Sequence, residues 1–353
     1  MAAAHLIVQC SRGSYPVVIE PGALTSTLPE FVSGRRFSRV AVITNTTLAP
    51  LYGEALAARL PGGFLIAVPD GEQYKTLDTL NTLYAALLDS GADRASLVIG
   101  LGGGVIGDMA GFAAATYMRG IAFVQAPTSL LSMVDASIGG KVGVDLPQGK
   151  NLAGAFYDPL AVFADPAVLH TLPDVERRCG LAEVVKAALI GDPPLLDHLE
   201  QHGPHPIEAI IERAAAVKIG IVEQDQTEQG VRAVLNLGHT FGHALEQASR
   251  YAWRHGEAVA TGLVAAARLS ERLGMCDHAL VQRIETLLMQ LGLPVGYQGF
   301  TPEVLCDAMR YDKKWRDGAA AFVLLRGIGE PVVARDVAAA DVIAVLDGMR
   351  ESA

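Results

Sequence analysis

The chain has 353 residues, of which 50% are hydrophobic and 19% are charged, and its net charge is −10. This length exceeds what one hydrophobic core supports, so two domains are expected, each able to bury a core of its own. The acidic balance, without a run of lysines or arginines, excludes the electrostatic surface that nucleic acid requires; a few buried cations would still serve a small anionic substrate.

The first ten residues, MAAAHLIVQC, have no basic start and only a short apolar run, so they do not predict a signal peptide. Arg268 interrupts the most apolar helical segment, and no stretch is long enough to span a bilayer. A cytoplasmic protein without a membrane partner is expected. The cysteines are scattered without a CxxC pair, which favours reduced, packed thiols over disulfides or a thiolate metal site.

Residues 15–170 alternate short β-rich runs with amphipathic helical stretches. The β-rich runs are YPVVIE, RVAVITN, FLIAVP, SLVIGLG and IAFVQAP. Helical segments between them, such as TLDTLNTLYAALLDSG, end on glycine, as a C-terminal cap should. This alternation predicts an α/β domain over residues 1–172 with an open, mainly parallel, Rossmann-like sheet.

After TLP at 171–173, long helical periods replace the strands until AAFVLLRGIG near the end. The helical segments are GLAEVVKAALIG, IEAIIERAAAVKIGIVEQD, NLGHTFGHALEQA, GEAVATGLVAAARLSERLG and VQRIETLLMQLG. They predict a second, mostly α-helical domain over residues 173–353. The string DHLEQHGPHP between two of them is typical of a solvated turn, so no metal site is expected at His198, His202 or His205.

Gly102, Gly104 and Gly107 form a GxGxxG pattern where SLVIGLG meets the next helical segment. Glycines between a strand and a helix let the backbone approach a pyrophosphate, and the free N–H groups of the helix N-terminus stabilise its charge. A tight turn in an α/β sheet is the alternative. An acidic residue for a ribose, expected about 20 residues later, is not evident.

Two further segments carry polar side chains suited to a nucleotide or a phosphate. DGEQYKT offers Asp70, Glu72 and Lys75 after a strand, and ASIGGKVGVDLPQGKN is a glycine-rich loop with Lys141 and Lys150. Lysines in such a loop suit a phosphate, although ordinary solvated charges would look the same in the sequence.

His239, His243 and His255 lie within NLGHTFGHALEQASRYAWRHGEA. The first two are spaced i, i+4, so a helix would place both rings on one face, as a divalent metal requires. Packed or solvated imidazoles are the alternative. Glu246 continues this face and is interpreted as helix support, and Asp225 in EQDQTEQ as a solvated or structural charge.

Six segments, in this order, closely resemble the 3-dehydroquinate synthase family: DGEQYKT, GGGVIGDMAGF, ASIGGKVGVDLPQGKN, GLAEVVKAALI, NLGHTFGHALE and HGEAVA. The resemblance extends from about Tyr15 to Leu325. It implies a carbon–oxygen lyase that uses bound NAD+ and Zn2+ or Co2+ in the shikimate pathway of aromatic amino acid biosynthesis.

The reaction implied by this resemblance converts 3-deoxy-D-arabino-heptulosonate 7-phosphate, a keto acid phosphate, into 3-dehydroquinate and phosphate. NAD+ oxidises C5, phosphate is eliminated, and the same NADH returns its hydride. The ring then opens, and an intramolecular aldol step closes the carbocycle. The metal would be held by Glu183, His239 and His255, which leaves open positions for substrate hydroxyls.

The other site residues follow from the same resemblance. NAD would contact Asp70, Glu72, Lys75, Gly103, Gly104, Asp108, Thr128, Ser129, Lys141, Lys150 and Thr171. The substrate phosphate would meet Lys141, Asn151, His243, Lys313 or Lys314, and Arg119 from the neighbouring subunit of a homodimer. Lys218 and Arg232 would hold the carboxylate, and Asp135, Lys150, Lys186 and Asn236 would surround the ring hydroxyls and the nicotinamide. The chain differs from the family's usual threonine at Ser129 and from its acidic ribose residue at Asn45.

Three other functions fit parts of this pattern. A metal-dependent polyol or alcohol dehydrogenase shares the architecture but does not require the lysines and Arg232 that suit phosphate and carboxylate. Another sugar phosphate cyclase would act on a substrate without the carboxylate that Arg232 and Asn236 favour. A non-catalytic dinucleotide sensor would have no use for Glu183 with two histidines.

Overall fold

The computed structural model describes residues 4–11, 13–310 and 321–351, and the chain divides into two compact units, Met1–Leu172 and Pro173–Ala353. The strands are β1 (Ala4–Cys10), β2 (Gly13–Ile19), β3 (Val40–Asn45), β4 (Gly63–Val68), β5 (Leu97–Gly102), β6 (Ala122–Pro127), β7 (Lys141–Leu146), β8 (Gly149–Phe156), β9 (Val162–Ala164), β10 (Phe322–Leu325) and β11 (Pro331–Ala334). The helices are α1 (Thr27–Ser33), α2 (Glu54–Arg59), α3 (Leu77–Asp89), α4 (Gly104–Thr116), α5 (Asp174–Gly191), α6 (Pro193–His202), α7 (Ile207–Gln224), α8 (His239–Ala248), α9 (His255–Arg272), α10 (His278–Gln290), α11 (Pro302–Arg310) and α12 (Ala339–Asp347). Within the described ranges, every helix is too short or too polar to cross a membrane.

The first unit is built on a seven-stranded sheet with the order β1-β2-β9-β6-β5-β3-β4. β1 runs antiparallel to β2, and the other neighbouring strands are parallel. β3 and β5 are buried along their whole length, as central strands of a covered parallel sheet should be. The predicted open, mainly parallel sheet is confirmed, and β1 and β9 are added to it.

The direction of strand addition reverses at β3, because β4 lies on one side of it and β5 on the other. The loops that follow β3 and β5 therefore diverge and leave a crevice at the carboxyl edge of the sheet. Open α/β proteins bind their ligands at such a reversal. The topology thus places the loop after Asn45 and the glycine loop after Gly102 at a binding edge.

The segment predicted as a glycine-rich loop is instead a β-hairpin formed by β7 and β8. Val142 and Val144 of β7 are buried, and Gly143 pairs with Gly154 across the hairpin. A Cβ atom on Gly143 would lie 2.5 Å from the carbonyl oxygen of Ala153. The loop prediction was wrong because these glycines permit close strand pairing and do not form an irregular turn.

The second unit is mostly helical, with a small antiparallel hairpin of β10 and β11. Its central helix is α5, in which every residue from Cys179 to Ile190 is buried. α5 packs against α7 and α9, and α9 also packs against α8 and α10. A helix buried on all sides carries charged residues only where they are paired or functional. Glu183 and Lys186 on α5 are therefore notable.

The segment at 197–206 was predicted as a solvated turn, but α6 runs through it as far as His202. Asp192 caps this helix by accepting the N–H of Leu195 at 3.1 Å, and Gly203, with a φ of 65°, ends it. The helical period was obscured by the polar residues between its buried leucines. The groups of metal donors found in the described ranges do not include His198, His202 or His205.

Candidate active site

In the first unit, the loops after β3 and β4 are joined through Asp70. Asn45 Nδ2 and Thr47 Oγ1 each donate to one carboxylate oxygen of Asp70, at 2.7 Å in both cases. The other side of the Asn45 amide accepts the N–H of Leu48 at 2.8 Å. Asp70 therefore supplies a carboxylate at this edge of the sheet, held in place by Asn45 and Thr47.

The glycine loop lies beside the end of β6. Gly103 is the N-cap of α4, and the N–H of Thr128 donates to the carbonyl oxygen of Gly102 at 2.9 Å. A Cβ atom on Gly103 would lie 3.3 Å from Ser129 Oγ. The first turn of α4 carries no acidic side chain, so its N–H groups suit an anion. The structure thus brings Gly103, Gly104, Thr128 and Ser129 together.

Lys75 joins the loop after β4 to α4 and to the β7–β8 hairpin. Its Nζ lies 2.6 Å from Asp108 Oδ2 and 2.6 Å from Asn151 Oδ1, and the residue is only 3% exposed. Its carbonyl oxygen accepts the N–H of Asp145 at 2.8 Å, and Asp145 in turn accepts the N–H of Asn151 at 2.7 Å. This network holds the hairpin, with Lys150 and Asn151, against the loop that carries Glu72.

Burial lowers the pKa of Lys75, but the charges of Asp108 and Glu72 outweigh it, and the net effect raises the pKa above its usual value. Lys75 therefore remains an ammonium ion inside this network. A weaker ion pair, 3.7 Å between Lys150 Nζ and Glu72 Oε1, lies nearer the surface. Sequence-predicted residues from three separate segments thus meet around one buried cation.

Four other predicted residues of the first unit lie at turns or strand ends. Thr171 Oγ1 is 2.7 Å from the hydroxyl of Tyr52, which follows β3. Asp135 lies in the short helical turn Ser132–Ala136, Lys141 begins β7, and Arg119 lies in an exposed turn after α4.

In the second unit, three helices converge on Glu183. Its Oε1 lies 3.6 Å from His239 Nε2 and 3.3 Å from His255 Nε2, and Lys186 Nζ is in contact with Oε2. Glu183 comes from the middle of α5, whereas His239 and His255 are the first residues of α8 and α9. The structure thus brings together Glu183, Lys186 and the two histidines, which are more than fifty residues from Glu183 in the sequence.

The donor set fits a divalent metal. Glu183 is 1% exposed, yet neither carboxylate oxygen has a hydrogen bond of good geometry among the described residues. One ligand atom from each of Glu183, His239 and His255 lies within 4.8 Å of the others. Tetrahedral zinc with bonds of about 2.1 Å separates its ligand atoms by about 3.4 Å, close to the separations observed here. Two imidazoles and one carboxylate are also one of the ligand sets found in catalytic zinc sites.

His243 lies beside this group, with its ring centroid 5.4 Å from that of His239 and 6.3 Å from that of His255. His243, Glu246 and His255 form a second set of atoms close enough to share an ion. The first set is the better metal site, because it contains the buried carboxylate without a good hydrogen bond. His243 therefore lies next to the metal donors.

Metal affinity is expected to rise with pH between about pH 7 and 10. Burial lowers the pKa of His255, but the neighbouring carboxylates of Glu183 and Glu246 raise it to about 10 in the metal-free protein. The metal must displace a proton from this imidazole, so the apparent affinity should increase about tenfold per pH unit below that pKa. Competition with a chelator at several pH values, corrected for the titration of the chelator, measures the slope. A slope near zero would contradict the prediction.

The same shift predicts the pH dependence of the stability of the metal-free protein. The folded-state pKa of His255 lies above its ordinary value of 6.5. This stabilisation is therefore complete below about pH 6.5 and is lost as the pH rises towards 10.

Glycine at position 256 sets the position of His255. A Cβ atom there would lie 2.2 Å from Cys179 Cα and 2.3 Å from the Cys179 carbonyl oxygen, so α9 touches the backbone of α5 one turn before Glu183. Arg254 Nε adds an ion pair at 3.2 Å to Glu176 Oε1 on α5.

Gly256→Ala is therefore expected to lower the free energy of unfolding by about 1–3 kcal/mol, because the backbones of α9 and α5 must move apart. The same movement should displace His255 and weaken metal binding. Gly220→Ala is the matched control, since a Cβ atom on this helical glycine meets nothing within 4 Å. That change should stabilise the protein by up to about 1 kcal/mol. Urea unfolding and metal titration measure both effects. Equal stability of the two variants would contradict the argument.

The segment between α7 and α8 is folded around Asp225. Its carboxylate accepts the N–H groups of Gln229, Gly230 and Arg232 at 2.9, 2.7 and 3.0 Å. The hydrogen bonds, that of Gln229 foremost, lower its pKa. The interpretation of Asp225 as a structural charge agrees with this geometry. Asp225 thus holds the backbone of Arg232, a residue that is 1% exposed.

Two acidic side chains contact predicted residues: Glu228, which the sequence analysis did not single out, and Glu246, which it interpreted only as helix support. Asn236 Nδ2 donates to Glu228 Oε1 at 2.8 Å, and Glu246 Oε2 lies 3.4 Å from His255 Nδ1. Glu228 was hidden in a polar run, and only the i, i+7 spacing from His239 pointed to Glu246.

Lys218, predicted to bind the substrate carboxylate, lies on α7. The predicted phosphate ligands Lys313 and Lys314 lie outside the described residues.

Known families account for most of the chain. Residues 65–179 match the family model for the 3-dehydroquinate synthase N-terminal domain, and residues 180–315 match that for the C-terminal domain. The chain is 44% identical over 351 residues to a 3-dehydroquinate synthase of Dehalococcoides mccartyi, which covers 96% of this chain and 98% of the relative. It is 45% identical over 359 residues to that of Nitrosospira multiformis, with 97% and 96% covered.

Solved structures agree in fold. A 2-deoxy-scyllo-inosose synthase complexed with carbaglucose-6-phosphate, NAD+ and Co2+ has a TM-score of 0.87 at 25% identity, covering 98% of this chain and all of its own. The 2-epi-5-epi-valiolone synthase of Streptomyces hygroscopicus, with NAD+ and Zn2+ bound, has a TM-score of 0.87 at 32% identity, covering 95% and 96%. A probable glycerol dehydrogenase of Sinorhizobium meliloti shares only the fold, at 17% identity with a TM-score of 0.65 over 94% and 95% of the two chains. This chain belongs to the 3-dehydroquinate synthase family.

Proposed function

We propose that this chain converts 3-deoxy-D-arabino-heptulosonate 7-phosphate into 3-dehydroquinate and phosphate, as a lyase with bound NAD+ and a divalent metal, Zn2+ or Co2+. The observation that carries the proposal is the buried Glu183 with His239 Nε2 and His255 Nε2 in a chain of this family. The solved relatives contain NAD+ with Co2+ or Zn2+, which supports both the NAD+ and the divalent metal proposed here.

Glu183, His239 and His255 would hold the metal, and Lys186 would balance the charge of Glu183. When bound, the metal acts as a Lewis acid that makes a coordinated substrate hydroxyl more acidic. Lys186 Nζ contacts Glu183 on α5, so it can also meet a substrate oxygen beside the metal. Its burial keeps water from competing for that oxygen.

The crevice at the carboxyl edge of the sheet would hold NAD+, which would supply reversible hydride transfer at C5 of the substrate. Gly103 and Gly104 would approach the pyrophosphate at the N-terminus of α4. The Asp70 carboxylate would accept hydrogen bonds from ribose hydroxyls. The ion pair with Lys75 holds Asp108 in place beside these loops.

The carboxylate and phosphate groups of the substrate distinguish this reaction from those of a polyol dehydrogenase and of other sugar phosphate cyclases. Arg232, buried and fixed by the loop around Asp225, would bind the carboxylate together with Lys218. Lys141, Lys150 and Asn151 on the β7–β8 hairpin, together with His243, would serve the phosphate. A polyol dehydrogenase needs neither group, and cyclases that act on neutral sugar phosphates do not need Arg232.

Substrate selection tests the proposal. The metal-loaded protein with NAD+ is expected to release phosphate from the keto acid phosphate, but not from glucose 6-phosphate, and to form no NADH with glycerol. Arg232→Lys should retain less than about a tenth of kcat/KM, because the bidentate contact is lost. Release from glucose 6-phosphate would indicate the other cyclase activity, and NADH from glycerol would indicate a dehydrogenase.

We further propose a cytoplasmic homodimer in which Arg119 reaches the substrate phosphate bound by the neighbouring subunit. Met118 and Arg119 adopt φ values of 48° and 69°, a conformation that non-glycine residues rarely hold without support. Met118 is also 36% exposed, so a second copy covering this turn would explain both features. Sedimentation of the protein at twice the mass of the chain is the expected result. A monomer with full activity would contradict the proposal.

A further inference from the structure

The two histidines at the candidate metal site are held through different outer partners. His239 Nδ1 lies 3.2 Å from the carbonyl oxygen of Leu237, whereas His255 Nδ1 lies 3.4 Å from Glu246 Oε2. A carbonyl or carboxylate oxygen can only accept, so Nδ1 carries the proton in both rings. Each ring therefore directs Nε2 towards Glu183, the side on which a metal would bind.

Glu246 is more firmly fixed than a surface carboxylate would be. It is 2% exposed, and its carbonyl oxygen accepts the N–H of Tyr251 at 2.7 Å and Ser249 Oγ at 3.0 Å. These two bonds fix the end of α8, seven residues after His239. The backbone at the end of α8 therefore fixes the position from which the Glu246 carboxylate contacts His255, the first residue of α9.

We propose that Glu246 is a positioning residue, whose carboxylate accepts the Nδ1–H of His255 and so fixes the ring orientation and the tautomer that present Nε2 to the metal. The inference rests on the metal site proposed above. Removing such an outer partner typically weakens metal affinity about 10–100-fold. His239 has a neutral carbonyl in the same place, so the negative charge acts on only one of the two imidazoles.

The test compares Zn2+ affinity, by competition with a chelator, in the wild type, Glu246→Ala and Glu246→Gln. The alanine variant should bind about 10–100-fold more weakly. The glutamine variant should be intermediate, because its amide oxygen can still accept from Nδ1 but carries no charge. The Co2+ absorption spectrum should shift in the alanine variant. Glu257→Gln is the matched control. Glu257 lies in the first turn of α9, as His255 does, but its carboxylate accepts the N–H of Arg254 at 3.3 Å. The Zn2+ affinity of this variant should equal that of the wild type.

The outcomes separate this inference from the metal site itself. A wild type that binds no Zn2+ would remove the proposed site, whereas a wild type that binds and an alanine variant of equal affinity would overturn only the role of Glu246. An equal loss in Glu257→Gln would also overturn it, as a nonspecific effect of charge. If the alanine variant does not fold, nitrogen NMR of the Zn2+-loaded wild type decides: a His255 ring coordinated through Nε2 with a proton on Nδ1 supports the proposal, and coordination through Nδ1 overturns it.

Discussion

Glu183→Gln is expected to remove the metal and to lower turnover by at least about 10³-fold, because activation of a hydroxyl by a Lewis acid is worth several kcal/mol. The amide is a poor metal ligand. Its N–H groups would also donate to His239 Nε2 and His255 Nε2, so that these atoms could no longer bind the metal. Metal content after dialysis and the rate of phosphate release measure the two effects.

Glu176→Gln is the matched control for this change. Glu176 lies on the same helix, α5, and its side chain is 47% exposed in an ion pair with Arg254. Its loss should cost less than about 1 kcal/mol of stability and leave the metal content unchanged. A Glu183→Gln protein that keeps both metal and turnover would show that the donors have been misassigned.

Lys75→Met is expected to lower the free energy of unfolding by about 3 kcal/mol and to weaken NAD+ binding. The change leaves Asp108 without its cation and Asn151 without the donor at 2.6 Å, and breaking a buried pair from one side costs about 3–5 kcal/mol. The lower end of that range applies because the Asp108 side chain is 19% exposed. The β7–β8 hairpin should also lose its attachment to the loop at 72–75.

Urea unfolding, with Lys150→Met as the control, tests the predicted loss of stability, and NAD+ titration of the Lys75→Met protein against the wild type tests the loss of binding. Lys150 is the same residue type in the same region, but its ion pair with Glu72 is 3.7 Å long and partly exposed. Its replacement should change stability by less than about 1 kcal/mol. Equal destabilisation by the two substitutions would show that the buried network around Lys75 contributes no more to stability than the ion pair of Lys150.

The sheet of the first unit was predictable because its central strands are short, continuous apolar runs. β3 and β5 coincide with RVAVITN and SLVIGLG, where both faces of the strand are buried. The β7–β8 hairpin was missed, because glycines that allow two strands to approach closely have the same local appearance as loop glycines. The helix α6 was missed because histidines and acidic residues separate its buried leucines.

The metal donors could be named only through the family resemblance, since no local period relates Glu183 to two histidines more than fifty residues away. The i, i+4 rule correctly placed His239 and His243 on one face of α8, but the rule cannot show which ring faces Glu183. The contacts of Lys75 with Asn151 and of Glu246 with His255 depend on tertiary packing. Residue type alone could suggest those side chains, but it could not pair them.

The most direct test of the proposed function is the stoichiometry of NAD+. The metal-loaded protein is incubated with the keto acid phosphate and a small fraction of one equivalent of NAD+, and phosphate and NADH are measured together. Because the hydride taken from C5 is returned within each turnover, all of the substrate should be consumed with one phosphate released per molecule and no net NADH. A reaction that stops when the NAD+ is used up, or that accumulates NADH in step with phosphate, would contradict the proposed function.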